Sequence, residues 1–188
     1  MSEIGTVIFN EEAGFSGVCN APCFTISGGY EVWAPDDPNN PIPNPENNTY
    51  IYTLTHEGGA GPFVLETYNF LLSVNTDLIT SIGVLDSNGI EPSAFSIQGY
   101  NDTVTWSFGT NLLGPGETTQ KLFIHSPLNP GFIDASISGQ AATTAINRTI
   151  GPLTNEPWIQ APEPSTSLLI FTGLLLAGLF SKVKGIFK

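Results

Sequence analysis

Few side chains in these 188 residues are equipped for chemistry. There are two imidazoles, His56 and His125, and two thiols, in the run Cys19-Asn20-Ala21-Pro22-Cys23. A metal site built on the thiols would need further soft or imidazole ligands, and only the two histidines could supply them, so no metal and no cofactor is expected. In an oxidising compartment Cys19 and Cys23 could close a small disulfide loop, because Pro22 bends the chain between them; two inert thiols are the alternative. A hydrolase needs a nucleophile, a base and an orienting group, and neither histidine stands near a nucleophile elbow or paired carboxylates at motif spacing. The run His56-Glu57-Gly58-Gly59-Ala60-Gly61 is not His-Glu-x-x-His and does not join a strand to a helix in a phosphate-binding unit, so it is read as a loop. His125 is read as a strand-end or surface residue, and the chain is not expected to be an enzyme.

Binding chemistry has more material. Trp33, Trp106 and Trp158 could form a sugar-stacking platform, although Trp106 alternates with Val104 and Phe108 and reads better as core. Trp158 could equally sit at a membrane interface. Residues 34–48 alternate Pro35, Pro38, Pro41, Pro43 and Pro45 with Asp36, Asp37, Glu46 and several asparagines. Each proline lacks an N–H donor, so the run cannot be a central strand and is expected as a surface loop or a polyproline-like spacer. Its carboxylates could hold Ca²⁺ through oxygen ligands, but their spacing fits no EF-hand, and solvated carboxylates are the simpler reading.

The elements that position these residues are short strands. Charged residues make up only 12% of the chain, with 20 Gly and 15 Pro, which favours strands joined by turns. β-Branched and aromatic residues mark strands at 6–9, 30–33, 50–56, 63–74, 78–85, 94–97, 103–108, 120–125 and 132–138. Alternation is clearest from Tyr50 to Thr55, where Tyr50, Tyr52 and Leu54 share one face. Asp86-Ser87-Asn88-Gly89, Tyr100-Asn101-Asp102, Gly114-Pro115-Gly116-Glu117 and Asn129-Pro130-Gly131 supply turns between them. The expected fold is all-β, an antiparallel β-sandwich of the Ig-like or jelly-roll-like kind over residues 1–155.

The charge is unevenly placed. All 17 acidic residues lie at or before Glu163, against Lys121 and Arg148, whereas Lys182, Lys184 and Lys188 close the sequence. So acidic a body repels phosphate backbones, which excludes nucleic acid as a partner. From Leu168 to Phe180 no residue is charged; at 1.5 Å per residue this run covers about 20 Å of helix, short of the roughly 30 Å of a bilayer core. Continued to Phe187, with Lys182 and Lys184 snorkelling, it becomes long enough for a single transmembrane helix. The flanking lysines then put the tail in the cytoplasm and the acidic body outside.

Immediately before the apolar run stands Ala161-Pro162-Glu163-Pro164-Ser165. Two prolines around a glutamate keep the chain extended, the form that a protease or transpeptidase engages. The sequence from Pro162 to the end resembles the PEP-CTERM sorting domain: Pro162-Glu163-Pro164 with Ser165 matches the motif, Leu168 to Phe180 the span, and Lys182, Lys184 and Lys188 the basic end. The resemblance covers about the last 28 residues, with lysine where arginine clusters are common. It implies export, recognition and cleavage near the motif by an exosortase, a membrane transpeptidase, in the exopolysaccharide-producing Gram-negative setting of the family. Family members begin with a signal peptide, and Met1-Ser2-Glu3-Ile4-Gly5, read literally, has neither a basic n-region nor a following apolar h-region. The sequence thus predicts a β-sandwich ectodomain, a linker over 156–167 carrying the motif, and a membrane segment with basic tail over 168–188. Its expected role is structural or adhesive at the cell surface or in the extracellular matrix, with the membrane, an exosortase and exopolysaccharide as partners. The alternative is a tethered carbohydrate- or calcium-binding module.

Overall fold

The computed structural model describes residues 3–10, 23–59, 66–140 and 143–154. The chain divides into two units, Met1–Glu156 and Pro157–Lys188, and every described residue belongs to the first. The expected transmembrane helix, the sorting motif, Trp158, Cys19 and the three terminal lysines lie outside the described residues. Among the described residues no helix is long and apolar enough to cross a membrane.

Among the described residues there are ten strands: β1 (Glu3–Asn10), β2 (Thr25–Trp33), β3 (Asn48–Gly58), β4 (Thr67–Ser73), β5 (Ser81–Leu85), β6 (Ala94–Gln98), β7 (Thr103–Ser107), β8 (Lys121–Ser126), β9 (Asn129–Gly139) and β10 (Thr144–Thr154), with one 3-10 turn at Thr76–Leu78. They make two five-stranded sheets, sheet A in the order β1-β2-β3-β8-β5 and sheet B in the order β10-β9-β4-β7-β6. Every pairing is antiparallel. The all-β expectation of two antiparallel sheets therefore holds. From β3 to β6 the chain changes sheet at each step; β7 then returns between β4 and β6, and β8 between β3 and β5.

Alternation dictates what lies between the sheets, because successive side chains of a strand point to opposite faces. Tyr50, Tyr52 and Leu54 of β3 are buried as their pattern predicts, and so are Phe70 and Leu72 of β4 and Val104 and Trp106 of β7. The ring of Trp106 stacks on Phe70, with centroids 5.8 Å apart and planes at 21°, and Tyr52 of sheet A meets both. Trp106 is thus core, as read from the sequence. Buried aromatic residues with polar tips need partners, and backbone carbonyls supply them: Trp106 Nε1 donates to Gly83 O at 3.2 Å, Tyr50 Oη to Leu128 O at 2.6 Å and Tyr52 Oη to Ile150 O at 3.0 Å. The first and third of these bonds tie one sheet to the other, so core packing and sheet alignment are set by the same side chains.

Three local readings are corrected. Thr144–Thr154, not read as a strand, forms β10; its Asn147-Arg148 pair and Gly151-Pro152 carry weak strand propensity, and pairing along β9 overrides it. Asn129-Pro130-Gly131, read as a turn, opens β9, and Pro130 faces Pro152 in register. Because β10 is an edge strand, Pro152 has a side on which a missing donor costs little. His56 to Gly58, read as loop, extends β3, with Thr25 paired to Gly58. The turn at Gly114–Glu117 is as expected, closed by Glu117 N–H donating to Gly114 O at 3.0 Å, with Gly116 at φ +80°.

Candidate functional site

The two sheets each have an outer face, and the candidate chemistry divides between them. On sheet A the outward positions of neighbouring strands line up as Thr49, His125 and Ser81 in one row and Glu31, Ile51, Phe123 and Gly83 in the next. The Pro-rich run lies against the first row: Asn40 Nδ2 donates to Thr49 Oγ1 at 2.9 Å, and Thr49 Oγ1 donates to Ile42 O at 3.3 Å. Thr49 and Ile51 are 0% and 1% exposed although both point away from the inter-sheet core. The run is a surface loop, as one of its two readings had it, and its own Asn and Asp side chains organise it. Asn40 Oδ1 accepts from Ile42 N, Asn44 Oδ1 accepts from Glu46 N and Asn47 N, and Asp37 Oδ1 accepts from Asn39 N. These are the local side-chain turns that Asn and Asp favour. The Asn39 N–H holds the Asp37 carboxyl below the usual range.

His125 is the penultimate residue of β8, a strand-end residue as read, but at 7% exposure it is buried, which corrects the surface reading. It lies on β8, an interior strand of sheet A between β3 and β5, and the Ile42 backbone of the Pro-rich run reaches the ring. Nδ1 lies 2.8 Å from Ser81 Oγ, the Phe123 ring is 5.1 Å away between centroids, and Nε2 has no hydrogen-bond partner among the described residues. Burial pushes the imidazole pKa down, opposed in part by the Ile42 backbone. A serine beside an imidazole invites a catalytic reading, but no carboxylate among the described residues bonds the ring to orient it as a base. His56 is 0% exposed and its Nδ1 accepts from Gly58 N at 3.0 Å, far from Ser81 in register.

The binding candidates fare differently from one another. Trp33 lies on sheet A with Nε1 donating to Glu31 Oε2 at 3.1 Å, while the other oxygen of Glu31 meets Lys121 Nζ at 2.6 Å. Trp106 is enclosed, so Trp33 and Trp106 do not share a surface. No three His, Cys, Asp or Glu side chains converge to hold a metal among the described residues, the acidic loop included. Cys23 is disulfide-bonded and fully buried; Cys19, the chain's only other cysteine, lies outside the described residues.

The outer face of sheet B escaped the sequence reading. Its central row runs Ser96, Thr105, Leu71, Ser136 and Ile146 across β6, β7, β4, β9 and β10. The adjacent row places Ser107, Asn69, Ser138 and Thr144 side by side. Together with Gln98 these residues, Ile146 excepted, line a shallow depression of about 480 Å³. Asn69 Nδ2 donates to Ser138 Oγ at 3.0 Å, which leaves the Asn69 carbonyl as acceptor and the Ser138 O–H as donor. Thr105 Oγ1 lies beneath the surface with no partner among the described residues. At the margin Arg148 Nε stands 3.6 Å from Asp134 Oδ1, and its guanidinium lies over the Phe132 ring at 5.5 Å. The signal was in the sequence as Ser and Thr at every second position of Thr103 to Ser107 and again at Ser136 and Ser138. It is informative only once five strands are brought into register.

No protein-family model matches the chain, and no curated protein matches it.

Proposed function

We propose that this chain is an exported surface or extracellular-matrix protein, structural or adhesive in role, whose jelly-roll-like β-sandwich body is carried on a C-terminal sorting signal. The observation that carries the reading is the order of the last residues: Pro162-Glu163-Pro164-Ser165, the uncharged run from Leu168 to Phe180, then Lys182, Lys184 and Lys188. In this reading an exosortase-type transpeptidase engages the extended Pro-Glu-Pro segment, and the lysines hold the tail on the cytoplasmic side. The disulfide at Cys23 supports the export step, because disulfides persist in oxidising compartments and are rare in the cytosol. The acidic body, with only Lys121 and Arg148 as basic residues, suits the outer side of the membrane.

The intact mass of the mature protein from its source cells tests the reading. A species ending between Pro162 and Ser165 is expected; a C-terminus running through Lys188 overturns the sorting step. Deleting Pro162 to Lys188 is expected to release or mislocalise the protein, and unchanged surface retention counts against the tail as its anchor.

A carbohydrate-binding role for the tethered body is the second reading, favoured by the hydroxyl- and amide-lined face of sheet B.

A further inference from the structure

The depression on the outer face of sheet B holds no ionisable side chain on a protein of net charge −12, and we infer that this face is the docking surface for a neutral polysaccharide strand lying across β6, β7, β4, β9 and β10. The inference rests on the surface-display reading for its setting and on the face itself for its ligand. Three observations select the ligand chemistry. First, the depression is lined by hydroxyls and amides around one aliphatic side chain, Leu71, and holds no ionisable group. Such a surface offers paired donors and acceptors to a ligand that is itself covered with hydroxyls, and it offers nothing to a charged headgroup or phosphate.

Second, the hydrogen-bonding capacity is unspent. The Asn69 carbonyl and the Ser138 O–H remain after their mutual bond, and Thr105 Oγ1 has no partner among the described residues. A hydroxyl without a partner beneath a surface is satisfied when a chain turn of χ1 or an arriving hydroxyl completes it. Third, the rows cross five strands, and strands stand about 4.8 Å apart, so an extended polymer crossing them meets a fresh polar column at each step. A repeating ligand uses that repetition; a compact one does not. Ile146, 73% exposed at the β10 end of the central row, gives the less polar face of a sugar ring an aliphatic contact.

Charge selects among the remaining occupants. A second copy of this chain and an acidic polysaccharide both carry the sign of the body, so long-range repulsion opposes each of them, whereas a neutral polymer is not opposed.

Affinity electrophoresis of the full chain tests this, run in a detergent without a sugar headgroup through gels containing hydroxyethyl cellulose or, separately, alginate. Retardation by the neutral glucan and little by alginate is expected. The double variant Ser96→Ala, Ser136→Ala removes two hydroxyls of the central row without adding volume and should weaken the neutral retardation about tenfold. Thr53→Ala, on the outer face of sheet A, should leave it unchanged. Retardation confined to alginate, equal retardation of both variants and parent, or none across a panel of neutral glucans overturns the inference. None of these outcomes touches the mass of the C-terminus, so failure here and failure of the sorting reading are distinguishable.

Discussion

The outer faces of the two sheets are built from the same alternating strands and meet opposite fates. On sheet A the chain covers its own surface: the run from Ala34 to Asn47 is held to β3 through Asn40, Thr49 and Ile42, and Thr49, Ile51 and His125 are buried there. On sheet B the corresponding face is left open, with Ser96 and Gln98 exposed and a depression between the strands. The difference lies in what the two faces carry. Ile51 and Phe123 give sheet A an apolar strip that gains from being covered, whereas sheet B presents hydroxyls and amides, which lose little by staying in water. Coverage by the protein itself marks a stability element, and a polar face left open across five strands is available for binding.

The largest test of this contrast compares the two aliphatic residues at equivalent outward positions. Ile51→Ala is expected to cost about 2–4 kcal/mol in urea unfolding, because the cavity forms in a covered site. Leu71→Ala, half-buried in the open face, should cost clearly less. Equal losses would mean that the two faces are covered alike.

Next in size is Asn40→Ala, which removes the bond to Thr49 Oγ1 and the acceptor for Ile42 N. It should cost about 1–2 kcal/mol and raise amide hydrogen exchange along the run and at the Thr49 end of β3. Unchanged exchange there would show that the prolines alone hold the run in place.

The smallest effect is expected from acid. Burial lowers the His125 pKa in the folded chain, so the unfolded chain takes up the proton more readily. The sign follows from linkage: this contribution is fully present above the unfolded value of about 6.5 and is lost as pH falls toward the folded one. Melting temperature should therefore decline through this window in the parent and decline less in His125→Gln. A parallel decline would assign the acid sensitivity to other groups.

Nine of the ten strands were legible from β-branched and aromatic runs separated by turn residues, because strand formation at these positions agrees with local propensity. β10 was not, since Asn147, Arg148, Gly151 and Pro152 disguise it and only its register with β9 makes it a strand. Trp106 could be placed in the core from its alternation with Val104 and Phe108. His125 could not be placed, because its burial comes from residues 34–47, far away in sequence, closing over an outward position. The edges show the same dependence on distant partners. Asn147 Nδ2, on the edge strand of sheet B, donates at 2.7 Å to Ile8 O on the edge strand of sheet A. No local pattern announces a bond between residues 139 positions apart.

By itself, the sequence determined the all-β class, the alternation that fills the core and the ordered features of the last 28 residues, since each depends on neighbours a few positions away. Tertiary structure alone decided which outer face is covered, that His125 is buried beside Ser81, and that Ser96, Thr105, Leu71 and Ser136 share one row. The physical reason is that a sheet's surface is composed across strands: this row joins neighbours 65 positions apart, Leu71 on β4 and Ser136 on β9, and its chemistry exists only when the register is made.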